Sequence, residues 1–140
     1  MPRKYLISGL FQRFLRLNKR FLEDVIKNSD ITYEQYHYLY MLSINPSCNQ
    51  THLCEFFNAK KSLVSNVLRS LEDKNYITQS IDPDNRRSYI INLTPEGFEV
   101  LNTIREKDIE FENRLFDLLG VESEEYMQNM EEIYITMLKD

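Results

Sequence analysis

One short stretch interrupts an otherwise helical pattern, and it narrows the folds open to this chain. Tyr76-Ile77-Thr78 and Ser88-Tyr89-Ile90-Ile91-Asn92-Leu93 are rich in branched and aromatic residues and read as β-strands. The turn formers of Asp82-Pro83-Asp84-Asn85-Arg86-Arg87 between them mark the tip of a hairpin. With three Gly and four Pro in 140 residues, the remainder favours long helices. The expected class is mostly α with one small β-hairpin, in a single domain large enough to bury a core without disulfides or metal.

The helices can be placed from their apolar spacing and caps. From Lys4 to Lys27, Ile7, Leu10, Phe11, Phe14, Leu17, Phe21 and Val25 mark one face, while Arg13, Arg16 and Arg20 mark another. That much apolar surface on one helix suggests burial against a second subunit. Thr32 with Gln35 forms a capping box, and the helix it starts is stopped by Asn45-Pro46. This helix carries Tyr33, Tyr36, His37, Tyr38 and Tyr40, which serve either core packing or the wall of a small-molecule pocket. Asn49 caps a short helix from Gln50 to Phe57, with Asn58 as a left-handed terminator.

Almost at once comes Lys60 to Asn75, whose two faces differ. Val64, Leu68 and Leu71 recur at i, i+4 and i+7, and Ser62, Ser65, Asn66 and Arg69 lie on the opposite side. The polar face is either solvated or lies in a DNA groove, where Ser, Asn and Arg reach base edges. Two helices joined by so short a turn make a helix-turn-helix, in which the second member normally enters the major groove. Lys60 and Lys61 sit at the positive end of the helix dipole, with no Ser, Thr, Asp or Asn cap before them. A docked phosphate would reverse that penalty. Arg86 and Arg87 at the hairpin tip, following such a unit, suit the narrow minor groove.

Beyond the hairpin, Thr94 caps a helix with Pro95 at its first position. Leu101, Ile104, Asp108, Phe111, Leu115 and Leu118 then form a heptad-like seam with one polar member, ending near Gly120. A final amphipathic helix begins at Ser123. Charge is distributed unevenly around the net −5: residues 1–32 carry seven Lys/Arg against three Asp/Glu, 59–94 six against four, and 95–140 four against thirteen. Phosphates would meet the basic two-thirds, away from the acidic tail.

These strings in this order resemble the MarR family of bacterial transcriptional regulators. The resemblance rests on Leu53-Cys54 followed by Leu63-Val64-Ser65, Leu71 to Ile77, the Asp82-Pro83 and Arg86-Arg87 hairpin, and Leu93-Thr94-Pro95-Glu96-Gly97. It implies a winged helix-turn-helix core at 31–97, flanked by dimerisation helices at 1–30 and 98–140. It further implies a homodimer that binds a pseudo-palindromic operator and usually represses transcription. On this basis the groove-reading residues are Ser62, Ser65, Asn66 and Arg69, with Arg86 and Arg87 on the wing; Lys60 and Lys61 join the DNA-binding set on the helix-dipole argument above. A small aromatic or lipid-like effector would meet Tyr36, His37 and Tyr40. Three positions depart from the family pattern. Asn85 replaces an Asp that braces the wing arginine, so that bracing would fall to Asp84. Asn75 replaces a Gly, and Lys60 replaces a cap.

Other chemistry finds little support. His52 and Cys54 point in different directions on a short helix, which argues against a metal site with Cys48. Cys54 reads as core, and Cys48 as a loop thiol with no cation beside it in sequence. No catalytic triad, phosphate loop or paired carboxylate is present, so neither an enzyme nor a cofactor is expected. No run of about 18 apolar residues exists, and no signal peptide is read, so a reduced cytoplasmic setting is expected. The two function classes left are a dimeric DNA-binding regulator and a winged-helix protein-interaction module that does not bind DNA.

Overall fold

The computed structural model describes residues 6–140; the Lys4 start expected for the first helix lies outside them. The order is α1 (Ile7–Lys27), α2 (Tyr33–Ile44), α3 (Gln50–Phe57), α4 (Lys61–Asp73), β1 (Ile77–Ile81), β2 (Tyr89–Leu93), α5 (Pro95–Leu119) and α6 (Ser123–Leu138). The mainly helical class with one hairpin is therefore realised. The strands are antiparallel, in the register Ile77↔Leu93, Gln79↔Ile91 and Ile81↔Tyr89. No helix among the described residues is long and apolar enough to cross a membrane.

Local chemistry sets the helix ends. The Thr32 hydroxyl accepts the Gln35 N–H at 3.1 Å, and Gln35 Oε1 accepts the Thr32 N–H at 3.1 Å. Asn49 and His52 make the same reciprocal pair at 3.0 and 3.2 Å, so His52 Nδ1 is occupied as a capping acceptor. Asn58, at φ 47 and ψ 47, ends α3 and turns the chain directly into α4. Helix α4 closes in a Schellman motif, in which Asn75 (φ 62) and Tyr76 donate N–H groups to the carbonyls of Glu72 and Leu71, both at 2.9 Å. Asn can replace Gly here because its short side chain tolerates the left-handed region.

The chain forms two compact units. One comprises Glu23–Arg105, and the other joins the described residues up to Leu22 with Glu106–Asp140. The division therefore falls inside α1 and α5 rather than at their ends. In the first unit the core holds Tyr36, Leu39, Leu53, Val64, Leu68, Leu71, Ile77, Ile91, Leu101 and Ile104. Val64, Leu68 and Leu71 are the inward face of α4; truncating either leucine to Ala would cost about 2–5 kcal/mol. Gln35, buried against the same helix, donates Nε2–H to the Ser70 hydroxyl at 3.0 Å and accepts from Lys74 Nζ at 3.1 Å.

In the second unit the polar member of the α5 seam has a partner: Asn18 Nδ2 donates to Asp108 Oδ1 at 2.7 Å. Phe21 meets Phe111 at 5.5 Å between centroids, and Phe116 meets Tyr126 at 5.4 Å. Much apolar surface stays open here, including Phe11, Phe14, Leu15, Tyr134 and Met137.

Candidate nucleic-acid interface

Helix α4 displays the two faces that its spacing predicted. Lys60, Lys61, Ser62, Asn66 and Arg69 are exposed, and Ser65 is half-buried. The N-cap residue Lys60 has φ −68 and ψ 146 and makes no side-chain cap hydrogen bond. Its carbonyl accepts the N–H groups of Leu63 and Val64 at 3.0 and 3.1 Å, which leaves the N–H groups of Lys61 and Ser62, the first two of the helix, without an intrahelical acceptor. Gln50 Nε2 donates to the Lys61 carbonyl at 3.2 Å, pinning the start of α3 onto the start of α4.

The opposite end of α4 is anchored as firmly. Lys74 Nζ donates to the Asp30 carbonyl, and the Tyr76 hydroxyl donates to the Asp30 carboxylate. That hydrogen bond, with burial and the charge of Asp30 adding to it, pushes the Tyr76 hydroxyl pKa up to about 12. Glu72 Oε2 accepts the Gln79 N–H at 3.1 Å, tying the last turn of α4 to the hairpin.

At the hairpin tip Arg86 and Arg87 are both exposed. The brace expected from Asp84 is not formed: its carboxylate meets neither wing arginine among the described residues, and its N–H donates to Asp82 Oδ1 at 2.9 Å. Asn85 braces the backbone instead: its Oδ1 accepts the Arg87 N–H at 3.3 Å, and its carbonyl accepts the Ser88 N–H at 2.9 Å. An Asn supplies that acceptor as well as an Asp does, but without a charge to hold the guanidinium.

Other predicted residues fall elsewhere. Tyr36 is 1% exposed, whereas His37 and Tyr40 are half-buried. The His37 ring lies 4.6 Å from Tyr33 and 5.0 Å from Tyr36, and the Arg105 guanidinium stands 5.7 Å over Tyr40. None of the three lines the cleft of about 900 Å3 bordered by Asp24, Asp30, Tyr76, Glu96, Glu99 and Val100. Cys54 is half-buried rather than core, and Cys48 is buried, which pushes its thiol pKa up and disfavours the thiolate.

Sequence reading missed three residues near α4. Gln50, Gln79 and Tyr89 border a groove of about 280 Å3 with Ser65, Arg69 and Glu72. Strand alternation could have found two of them, since it puts positions 79 and 89 on the face shared by buried Ile77 and Ile91.

A short helix, a tight turn, a helix with an open polar face and an arginine-tipped hairpin define a winged helix-turn-helix DNA-binding protein. Residues 31–89 match the MarR family model. The HTH-type transcriptional regulator YdgG of Bacillus subtilis (strain 168) is 33% identical over 119 residues, covering 84% of this chain and 74% of that protein. A crystal structure of MarR superposes with a TM-score of 0.81 at 26% identity, covering 99% of this chain and 94% of that one. The MepR–DNA complex of S. aureus superposes at 0.73 and 27%, covering 97% and 98%. The chain belongs to the MarR family and is a transcriptional regulator, not an enzyme.

Proposed function

We propose that the protein is a homodimeric repressor that binds a pseudo-palindromic operator through Lys60, Lys61, Ser62, Ser65, Asn66, Arg69, Arg86 and Arg87. The observation that carries this reading is the open polar face of α4, firmly seated on Val64, Leu68 and Leu71 and followed by two exposed arginines. Ser62, Ser65, Asn66 and Arg69 read bases; the lysines and wing arginines meet phosphates and the minor groove.

Residues 31–97 act as the DNA-binding core, and 1–30 with 98–140 as the dimerising part. Dimerisation is supported by large side chains left open on the terminal helices, such as Phe11 at 49% and Tyr134 at 58% exposure. Two-fold symmetry then sets half-sites about 10–10.5 base pairs apart, or a multiple of that. An aromatic or lipid-like effector would enter beside His37 and Tyr40, with Tyr36 behind them, and shift the population away from the binding-competent dimer.

Selection of bound duplexes from a random library, repeated with a panel of aromatic and lipid-like compounds, tests this reading. An enriched inverted repeat, bound by two chains and losing affinity steeply with salt, is the expected result. No enriched sequence and a flat salt response would leave the protein-interaction module in its place.

A further inference from the structure

A second opening lies away from the polar face of α4. The last turns of α1, the link to α2, Tyr76 and the start of α5 border a cleft of about 900 Å3, and none of its lining residues belongs to that polar face. Positions 96, 99, 100, 103 and 104 form its α5 wall, at the spacing of one helix face. Asp24, Asp30, Glu96 and Glu99 bring carboxylates to the lining, against Lys27 as its cation. Lys27 Nζ stands 3.9 Å from Glu23, which is not part of the lining. Asp24, Glu96 and Glu99 have no lysine or arginine within ion-pair range among the described residues. Between these charges the wall is apolar, through Val25, Val100 and the buried Ile104.

Carboxylates gathered around a cleft without counter-ions repel one another, so a cation held there lowers the energy of the folded chain. The kind of cation follows from their spread. No group of three or more acidic, His or Cys side chains among the described residues could hold a metal ion, which sets aside a compact point charge. Separated carboxylates with apolar wall between them match separated ammonium groups joined by methylene spans. We propose that the cleft binds an aliphatic polyamine, with ammonium groups on Asp24, Asp30, Glu96 and Glu99 and methylenes against Val25, Val100 and Ile104.

Asp30 connects this cleft to α4. Its carboxylate accepts the Tyr76 hydroxyl and its carbonyl accepts Lys74 Nζ, so the end of α4 and the residue before β1 both hang on one lining residue. An ammonium group that takes the Asp30 carboxylate competes with the Tyr76 hydroxyl. The link between α4 and β1 then loses a tie, and the bound polyamine favours a population in which α4 and the wing are less firmly set. Resting on the DNA-binding reading above, the polyamine is an effector that lowers operator affinity, at a site that His37 and Tyr40 do not line.

The site is tested by calorimetric titration of the full-length protein, free of DNA, with spermidine. Saturable binding that weakens as salt rises is the expected result. Combining Asp24→Asn with Glu99→Gln should weaken it about tenfold, the size of two exposed ion pairs lost together. These changes remove charge at constant shape, and thermal melting checks that the double variant folds. Unchanged affinity in the double variant would overturn the site. So would displacement of spermidine by magnesium ion at equal charge, since the cleft would then only gather counter-ions.

Fluorescence anisotropy on an operator duplex from the selection above reads the coupling. Spermidine also binds DNA, so the double variant is the reference: with spermidine, the wild type should lose about fivefold more operator affinity than the double variant does. Tyr76→Phe, which has no Asp30 bond for the ligand to compete with, should lose no more than the reference. Equal losses in wild type and double variant would overturn the coupling. A protein that binds spermidine but no duplex would overturn the DNA-binding reading and the coupling with it, while the cleft stands as a polyamine site.

Discussion

Gly97 lies so close to the carbonyl of Tyr76 that a Cβ on it would stand 2.0 Å from the oxygen. The same carbonyl accepts the Thr94 N–H at 3.0 Å, and Thr94 Oγ1 donates to the Asn75 carbonyl while accepting the Gly97 N–H. The first turn of α5 is thus clasped onto the residues that link α4 to β1. That clasp fixes where the wing leaves α4.

Gly97→Ala should therefore cost about 3 kcal/mol of stability, because the clash is with backbone that cannot rotate away. Gly9→Ala supplies the contrast. A Cβ there meets nothing within 4 Å, and losing a helical glycine should gain about 0.5–1 kcal/mol. Urea denaturation of both variants measures the difference; equal costs would contradict the clasp.

Tyr76 gives the fold an alkaline limit. Its hydroxyl pKa is raised to about 12 from an ordinary 10, chiefly by donating to Asp30. The native state thus holds the proton more tightly than the unfolded chain does. The stabilisation is complete below about pH 10 and is lost as the pH rises through about 12. Tyr76→Phe should be less stable than wild type at pH 8, and the gap should close between pH 10 and 12. A gap that stays constant across that range would rule out the Tyr76–Asp30 bond as its source.

What could be read from the chain in advance was mostly local. Thr32 with Gln35, Asn49, Asn58, Asn75 and Thr94-Pro95 end or begin helices through bonds that span a few residues, so their roles show in the string itself. The inner face of α4 was legible for the same reason, since helical geometry alone sorts Val64, Leu68 and Leu71 to one side. Longer-range partners were not. Gln35 looks like a capping residue and nothing more, yet it also reaches Ser70 and Lys74 across the core. Strand β1 extends to Ile81, beyond the expected Thr78, because β2 pairs with it and Glu72 holds Gln79. The wing brace came from Asn85, whose Oδ1 accepts the Arg87 N–H two residues on, a turn bond that the string alone does not distinguish from one at Asp84.

Lys60 is where local stability and binding should oppose each other. It occupies the N-cap of α4 with no capping bond, and its charge faces the positive end of the helix. Lys60→Ser supplies a cap and removes the repulsion, which should stabilise the free protein by about 1 kcal/mol. If a phosphate docks there, the same substitution should weaken DNA binding and lower the salt slope by about 0.9. Chemical denaturation and fluorescence anisotropy on one preparation separate the effects. A stabilised protein with unchanged affinity would remove the lysine from the interface.

Asn66 and Arg87 should differ in kind rather than in size. Asn66 is exposed in the middle of α4, a position from which an amide can make the paired hydrogen bonds that distinguish adenine. Asn66→Ala should cost about 1–3 kcal/mol on the preferred operator and little on random DNA, so preference relaxes at one base pair. Arg87 sits on an exposed tip with no carboxylate in ion-pair range among the described residues, leaving its guanidinium free for the minor groove or a phosphate. Arg87→Ala should weaken all duplexes by a similar factor and reduce the salt slope by about one. Anisotropy titrations on operator and scrambled duplexes at several salt concentrations measure both. Identical profiles for the two variants would contradict the division of labour between helix and wing.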